Sequence, residues 1–380
     1  SSTYLNTYDT DFAYGSSSSL WGTTLTPAEV NSSNFGIRFR VRNMSSSRRY
    51  GYVDHITIRV YYTVTPTEGP GGVISSMNVW LDANQGTTGT TQVSNWEDKS
   101  LQGNDASMST STYRPSLETN TVNYNNALDF DGGDEYLEST EGAYSDDIFV
   151  VLIPDDQISY SLTGQMPVSL DANNASIPYA IIGLGDYTSG LSNEVIHYGV
   201  GQTYGWKEGH TSTSTTYTAG EPMIINISND DGSSSSALYV NQNEIGNANY
   251  GSYTTAEDNV QYRLGGNMHY VGGYYYDGKI AEFISYSSDL STTNRKKVAS
   301  YLAIKYGITI EDDYVLSSGT TVWDDATNAS YHNNVTAIAR DDDSDLDQQK
   351  SKMRLIPKQK YFVMACLLHL LFLNGLQANC

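Results

Sequence analysis

The sequence predicts an all-β chain with one convincing helix near its C-terminal end, on three observations. Apolar and polar residues alternate in short runs, separated by clusters of Gly, Pro, Asn and Asp. Helical spacing sustained over several turns occurs within residues 279–308, "KIAEFISYSSDLSTTNRKKVASYLAIKYGI". Tyr outnumbers Phe 31 to 8, and a ring with a polar tip suits half-exposed sheet faces and contact surfaces.

Residues 1–64 form the first expected unit. In "FGIRFRVRN" (35–43), Phe35, Ile37, Phe39 and Val41 share one face, and Arg38, Arg40 and Arg42 the other. "DHITIRVYYT" (54–63) repeats the pattern with Ile56, Ile58 and Val60. Both read as strands with one buried face. "LTPAEVNSSN" (25–34) reads as a short helical turn, with Thr26 as cap, Pro27 at the first helical position and Glu29 three residues after the cap. Residues 65–72, "TPTEGPGG", lose all periodicity and read as a linker.

A second unit is expected over 73–310. "VWLDANQG" (79–86) is a strand ending in a turn, and "NNALDFDGGDEYLE" (125–138) two strands about a Gly pair. "DIFVVLIPD" (147–155) is apolar throughout, as a central strand would be. Residues 223–246 form a hairpin, with Ile225 and Ile227 facing Leu238 and Val240. "KIAEFISYS" (279–287) is the last strand. The helix follows it: Ser291 as N-cap, an apolar stripe of Val298, Tyr301 and Leu302 extended by the stem of Lys305, and Gly307 in the left-handed closing position.

Two resemblances follow from these segments. The pattern from Leu20 to Thr63 resembles the C-terminal half of a jelly-roll-like domain of bacterial and phage surface proteins. The segments "VWLDANQG", "SNWEDKSLQGNDA", "ALDFDGGDEYL", "ALYVNQNEIG" and "DGKIAEFISYSSDLSTTNRKKVASYLAIKYGI" resemble, in order and spacing, laminin-G-like, concanavalin-A-like lectin/glucanase domains of bacterial surface proteins. The second resemblance implies an antiparallel two-sheet jelly-roll sandwich with one C-terminal helix, preceded here by a partial β-sandwich. It implies a secreted cell-surface protein acting in adhesion or carbohydrate binding. A structural subunit of an extracellular fibre or sheath, completed by strands from neighbouring chains, is the alternative. A polysaccharide-active enzyme is a further one.

Residues 311–350 read as an acidic linker into a missing module, and 351–380 as an atypical tail, with a non-native segment as the first reading and a hydrophobic anchor or a strand donated to a neighbour as the second. That tail holds both cysteines, Cys366 and Cys380, and no Asp or Glu. "YFVMACLLHLLFL" (361–373) is too short to cross a bilayer as a helix. With no initiator Met and no leader at Ser1, the chain is expected to be a processed product or a fragment.

A net charge of −22 argues against nucleic acid and anionic membranes as partners. Glycan or neighbouring surface-protein chains remain, the latter as a homo-oligomer or fibre. No Glu-x-Asp-x-x-Glu string, which β-glucan hydrolases of the resembled fold carry, is present. The nearest cluster, Asp129, Asp131, Asp134, Glu135 and Glu138, is interrupted by the Gly132–Gly133 turn. No catalytic residue is therefore expected. For ligand contact the candidates are Trp206, in "YGWKEGH", and Tyr274, Tyr275 and Tyr276, in "HYVGGYYYDG"; in a strand, alternate Tyr would point inward. For metal, Asp341, Asp343, Asp345 and Asp347 alternate in "DDDSDLD" and offer hard oxygens suited to calcium. Leu346 and Lys352 stand where a helix–loop–helix calcium loop needs Gly and Glu, so a disordered acidic linker competes with that reading.

Overall fold

Strand Asp147–Pro154 shows why its run is apolar throughout: every residue in it is buried. Ile148, Val150 and Leu152 enter one hydrophobic core, while Phe149, Val151 and Ile153 enter a second. A strand buried on both faces requires a layer on either side, and that sandwiching organises the molecule.

The computed structural model describes residues 13–16, 19, 26–30, 32–36, 47, 57–59, 66–140, 145–156, 165–172, 178–184, 194–199, 211–230, 235–249, 260–268, 274–332, 335–352 and 364–367. The chain divides into two compact units, Ser1–Val64 and Thr65–Cys380.

In the first unit the short helix α1 (Pro27–Val30) forms as expected. Thr26 N and Oγ1 each donate to Glu29 Oε2 at 2.8 Å, and Glu29 N donates back to Thr26 Oγ1 at 3.3 Å. This reciprocal box satisfies the first donors of the turn. Most of the strand residues expected at 35–43 and 54–63 lie outside the described residues. Ile58, expected on a buried face, is 44% exposed; a period-two run buries its apolar side only where a second layer covers it.

In the second unit, among the described residues, two antiparallel sheets face each other. The first has eight strands, in the spatial order Asn243–Asn249, Ser235–Val240, Met223–Asp230, Asp147–Pro154, Asp277–Tyr286, Asn125–Asp131 and Ser116–Val122, with Met77–Asp82 also paired to Asp277–Tyr286. The expected hairpin is present, with Ile225 opposite Val240 and Ile227 opposite Leu238. The second sheet has nine strands, running from Thr211–Thr216 through Glu194–Gly199, Pro178–Leu184, Gln165–Ala172, Val260–Leu264, Leu137–Glu138, Ala106–Ser107 and Asn95–Trp96 to Thr87–Thr88. One core fills the space between the sheets and includes Trp96, Phe130, Tyr262, Tyr276 and Phe283.

The second core lies on the other face of the eight-stranded sheet, beneath helix α2 (Thr292–Tyr306). Both predicted caps hold. Ser291 Oγ accepts from Asn294 N at 3.3 Å, and Gly307 adopts φ 64°. Asn123 and Asn125 side chains donate to Lys305 O at 2.9 and 2.7 Å, satisfying a last-turn carbonyl.

The helix buries more than one stripe: every residue from Val298 to Tyr306 is buried. The cause is the segment read from sequence as a linker. Ile310, Tyr314, Val315, Val335, Ala337, Ala339 and Leu346 are themselves buried, and all but Val315 join the core beneath α2. So 311–350 is a packed part of this unit and covers the helix from outside. The Pro/Gly segment before the sandwich is packed as well. Pro70–Gly72 forms a short 3-10 turn, and a Cβ added at Gly71 (φ 63°) would sit 2.4 Å from Lys297 C. Only glycine permits that approach. In the tail, Met364–Leu367 pairs in parallel with Thr336–Asp341.

Candidate functional site

The sandwich presents two groupings of aromatic and charged side chains, one exposed and one sealed. The exposed one lies on the nine-stranded sheet. Strands Leu137–Glu138 and Val260–Leu264 pair with Arg263 opposite Glu138. Alternation sends Tyr262 inward, fully buried, and leaves Arg263 and Glu138 on the other face. Arg263 Nε and Nη2 donate to Glu138 Oε2 at 3.1 and 2.7 Å, and Nη1 donates to Asn267 O at 2.9 Å.

The Arg263 guanidinium lies 4.0 Å from the centroid of the Tyr136 ring. Tyr136 also stacks with Tyr113, with centroids 6.1 Å apart and planes at 22°. Tyr136 N donates to Tyr113 O at 2.9 Å, which ties the turn carrying Tyr113 to the sheet. Tyr275 joins the group at Gly266, where a Cβ would stand 3.1 Å from Tyr275 Cδ1 and 3.9 Å from Arg263 Cδ. The bare glycine makes room for both side chains. Tyr113 is 37% exposed, and Tyr136 and Tyr275 are half-buried. Burial pushes the Tyr136 hydroxyl above its usual value, so it stays protonated and can donate.

Glu135 stands beside this group. Burial, with Asp131, Asp129 and Asp134 adding to it, pushes its carboxyl up to about 7, although Asp131 N donates to Oε2 at 3.0 Å.

The sealed grouping lies under α2. Asp82 and Glu282 are direct cross-strand partners, 2% and 0% exposed. Two carboxylates side by side in a dry layer repel, and Lys305 answers both. Its Nζ lies 2.9 Å from Asp82 Oδ2 and 2.7 Å from Glu282 Oε2. Glu282 Oε1 accepts from Trp80 Nε1 at 2.7 Å and Tyr301 OH at 2.9 Å. Oε2 also accepts from Tyr306 OH at 2.7 Å. Lys99 lies 3.8 Å from the Trp80 ring centroid, 3.7 Å from Asp82 Oδ2 and 2.6 Å from Asp345 Oδ2.

Burial alone would raise the Asp82 carboxyl, but the charges of Lys305 and Lys99 outweigh it and hold the group below its usual range. Burial opposes the Lys305 charge, and Asp82 and Glu282 more than restore it. Tyr301 and Tyr306 are held protonated, by burial first and the Glu282 charge next. Lys305 is thus a buried ion rather than the aliphatic extension of a stripe expected from sequence.

Of the sequence-predicted contact residues, Trp206 lies outside the described residues. Tyr274 and Tyr275 are half-buried, and Tyr275 joins the exposed row. Tyr276 corrects the expectation: it is fully buried between the sheets, 6.3 Å from Phe130 by centroid, because alternation turns it inward. Sequence reasoning missed Tyr113, Tyr136 and Arg263, since no local pattern joins segments so far apart. It also missed Asp82 and Glu282. There a signal existed: each stands in an apolar strand, on the face shared by Trp80, Ile284 and Tyr286.

The expected calcium ladder does not converge. Residues 341–347 form an antiparallel hairpin, with Asp341 opposite Leu346 and Arg340 opposite Asp347. Asp341 accepts from Ser317 N and Oγ at 2.8 and 2.6 Å. Asp345 is held by Lys99 and by Gln85 Nε2 at 3.2 Å, and Asp347 accepts from Gln349 at 2.9 Å. Asp343 is exposed. Among the described residues, the acidic side chains whose oxygens gather within 4.8 Å are instead Asp313, Asp324 and Asp325. Lys296 already stands 2.7 Å from Asp312 and 3.6 Å from Asp313 there.

A family model described as "Domain of unknown function (DUF8202)" matches residues 294–362. The match takes in most of α2 and its covering segment, and runs past Ser351, where the composition changes. No curated protein matches the sequence. Among solved structures, Trypanosoma rangeli sialidase in complex with 2,3-difluorosialic acid is 10% identical, with TM-score 0.42, over 60% of this chain and 33% of that one. Domain 4 of a GH43 extracellular arabinanase from Geobacillus stearothermophilus, in complex with arabinotriose, is 13% identical, with TM-score 0.40, over 60% of this chain and 98% of that one. The botulinum neurotoxin serotype D binding domain is 14% identical, with TM-score 0.40, over 66% and 56%. This chain therefore spans about a third of the sialidase. At such scores these likenesses carry no argument about substrate or activity. Among the described residues, no helix is long and apolar enough to cross a membrane.

Proposed function

We propose that the second unit is a non-enzymatic carbohydrate-binding module of a secreted surface protein, and that it meets its glycan on the row Tyr113, Tyr136 and Tyr275. The observation that carries this reading is the stacked, part-exposed Tyr113–Tyr136 pair, locked beside a hydrogen-bonded Arg263–Glu138 couple. Flat rings take the C–H faces of sugars, and neighbouring polar groups address hydroxyls. Both Arg263 bonds to Glu138 land on Oε2, so among the described residues Oε1 and the tyrosine hydroxyls are the groups offered to a sugar. Rings held in place by packing bind with little loss of rotamer freedom.

A glycan array probed with the whole chain tests the reading. Retained sugars should lose about tenfold in affinity in Tyr113→Ala and again in Tyr275→Ala, as contact anchors do. Equal binding by wild type and the double variant would sink it.

One observation favours a polysaccharide-active enzyme as a second reading. Glu135, raised to about 7, has the protonation a general acid needs near neutral pH. Release of sugar from polysaccharide, lost in Glu135→Gln, would support that reading; its absence across a polysaccharide panel would leave the binding role.

A further inference from the structure

We infer that Lys305 and Asp82 are partners in an intramolecular amide cross-link, with Glu282 as the group that moves the proton. The geometry has each component such a bond needs. Lys305 Nζ lies 2.9 Å from Asp82 Oδ2, in direct hydrogen-bond contact with the carboxyl whose carbon it would attack. Glu282 Oε2 lies 2.7 Å from the same nitrogen and can take a proton from it. Asp82 Oδ1 accepts from Asn84 N at 2.9 Å and Asn84 Nδ2 at 3.0 Å. Those two donors are placed to stabilise the charge that grows on Oδ1 as nitrogen adds.

The surroundings favour condensation over hydrolysis. Asp82, Glu282 and Lys305 are 2%, 0% and 5% exposed, walled by Trp80, Tyr301 and Tyr306. Glu282 is the less suitable acyl partner. Trp80, Tyr301, Tyr306 and Lys305 all donate to it, which commits both of its oxygens.

The balance closes without any co-reactant. The Lys305 ammonium loses two protons, one directly to Asp82 Oδ2 and one through Glu282. The Nζ–Cγ bond forms, the Cγ–Oδ2 bond breaks, and Oδ2 leaves with both protons as water. Glu282 ends as it began. Charge is conserved, because an ammonium and a carboxylate become a neutral amide. The resting state is the ion pair, so the reaction proceeds from the neutral form reached by proton transfer inside the site and happens once per molecule.

The placement gives the bond a purpose. Asp82 ends the first strand of the sandwich and Lys305 lies in the last turn of α2. A bond between them encloses nearly the whole sandwich in one covalent loop, in a chain whose first 365 residues contain no cysteine. Cross-links that close long loops constrain the unfolded state most.

Intact-mass measurement of the folded full chain, produced with defined ends, is the test. The expected mass is one water below that of the sequence, and digestion under denaturing conditions should yield one species joining the peptides of Asp82 and Lys305. Glu282→Gln, checked for retained fold by circular dichroism, should return the full sequence mass. Wild type at the full sequence mass would overturn the inference. So would water loss with the two peptides separate, since that places the dehydration elsewhere. A bond that persists in Glu282→Gln would overturn the role given to Glu282.

Discussion

The row on the nine-stranded sheet and the network under α2 are built from the same side chains: tyrosines, a long cation and carboxylates. Burial sets them apart. On the sheet, Arg263 satisfies Glu138 at a surface where Tyr113 keeps 37% of its area in contact with solvent. Under the helix, Lys305 faces two carboxylates, and all three groups are buried. A cation at the surface helps hold rings in position, whereas the same kind of group in a dry layer decides whether the layer can exist at all. The difference teaches that residue type does not assign role in this fold; the layer does.

The largest expected effect breaks that comparison at its buried end. Lys305→Ala leaves Asp82 and Glu282 opposed, with Lys99, 3.7 Å from Asp82, as the remaining cation, and removing one partner of a buried pair costs about 3–5 kcal/mol. Arg263→Ala removes a part-exposed pair and should cost only about 1 kcal/mol. Urea unfolding of both variants reads the contrast. Equal losses would mean that the network is wetter than its burial implies.

A second contrast concerns a carboxyl buried beside α2. Asp147 is fully buried, and its Oδ2 accepts from Leu290 N at 2.6 Å. Burial nonetheless pushes it up to about 6 from 3.8, against the lowering effects of that bond and of Arg295. Its folded value lies above its unfolded value. The associated stability is therefore fully present below about pH 4, falls as pH rises, and is gone above about 6. Asp147→Asn keeps an acceptor and removes the charge. It should be more stable than wild type at pH 7 by on the order of 1–3 kcal/mol, with the difference vanishing near pH 4. Thermal unfolding across that range checks it; a gain that grows on acidification would reverse the sign.

Much of this was legible in the sequence because it is local. The run at 147–154, the 225–240 hairpin and both caps of α2 are written in neighbouring residues, and the structure has them. What was illegible depends on distant segments. Residues 311–350 look like a linker because their acids are frequent, yet Tyr314, Val335, Ala337 and Leu346 alternate inward to cover a helix formed earlier in the chain. The Asp ladder looked like a ligand set because spacing was visible, while the commitments of Asp341 to Ser317 and of Asp345 to Lys99 were not. Tyr113 and Tyr136 meet across a turn, and Tyr275 reaches them only through the bare backbone of Gly266.

The smallest expected effect sharpens the comparison at its exposed end. Glu135, like Asp147, is raised by burial, here to about 7. The sign is the same: the folded state holds the proton longer, so this contribution is present below the usual carboxylate range and disappears as pH rises through about 7. Glu135 is only half-buried, however, and solvent screens groups so placed. Glu135→Gln should therefore change stability at pH 8 by no more than a few tenths of a kcal/mol, against the larger gain at Asp147. Its carboxyl resonance should still titrate with a midpoint near 7, where Asp147 titrates near 6. A midpoint in the ordinary carboxylate range would mean that the neighbourhood of Tyr136 is as wet as open surface, and the contrast between the two faces would then rest on the network alone.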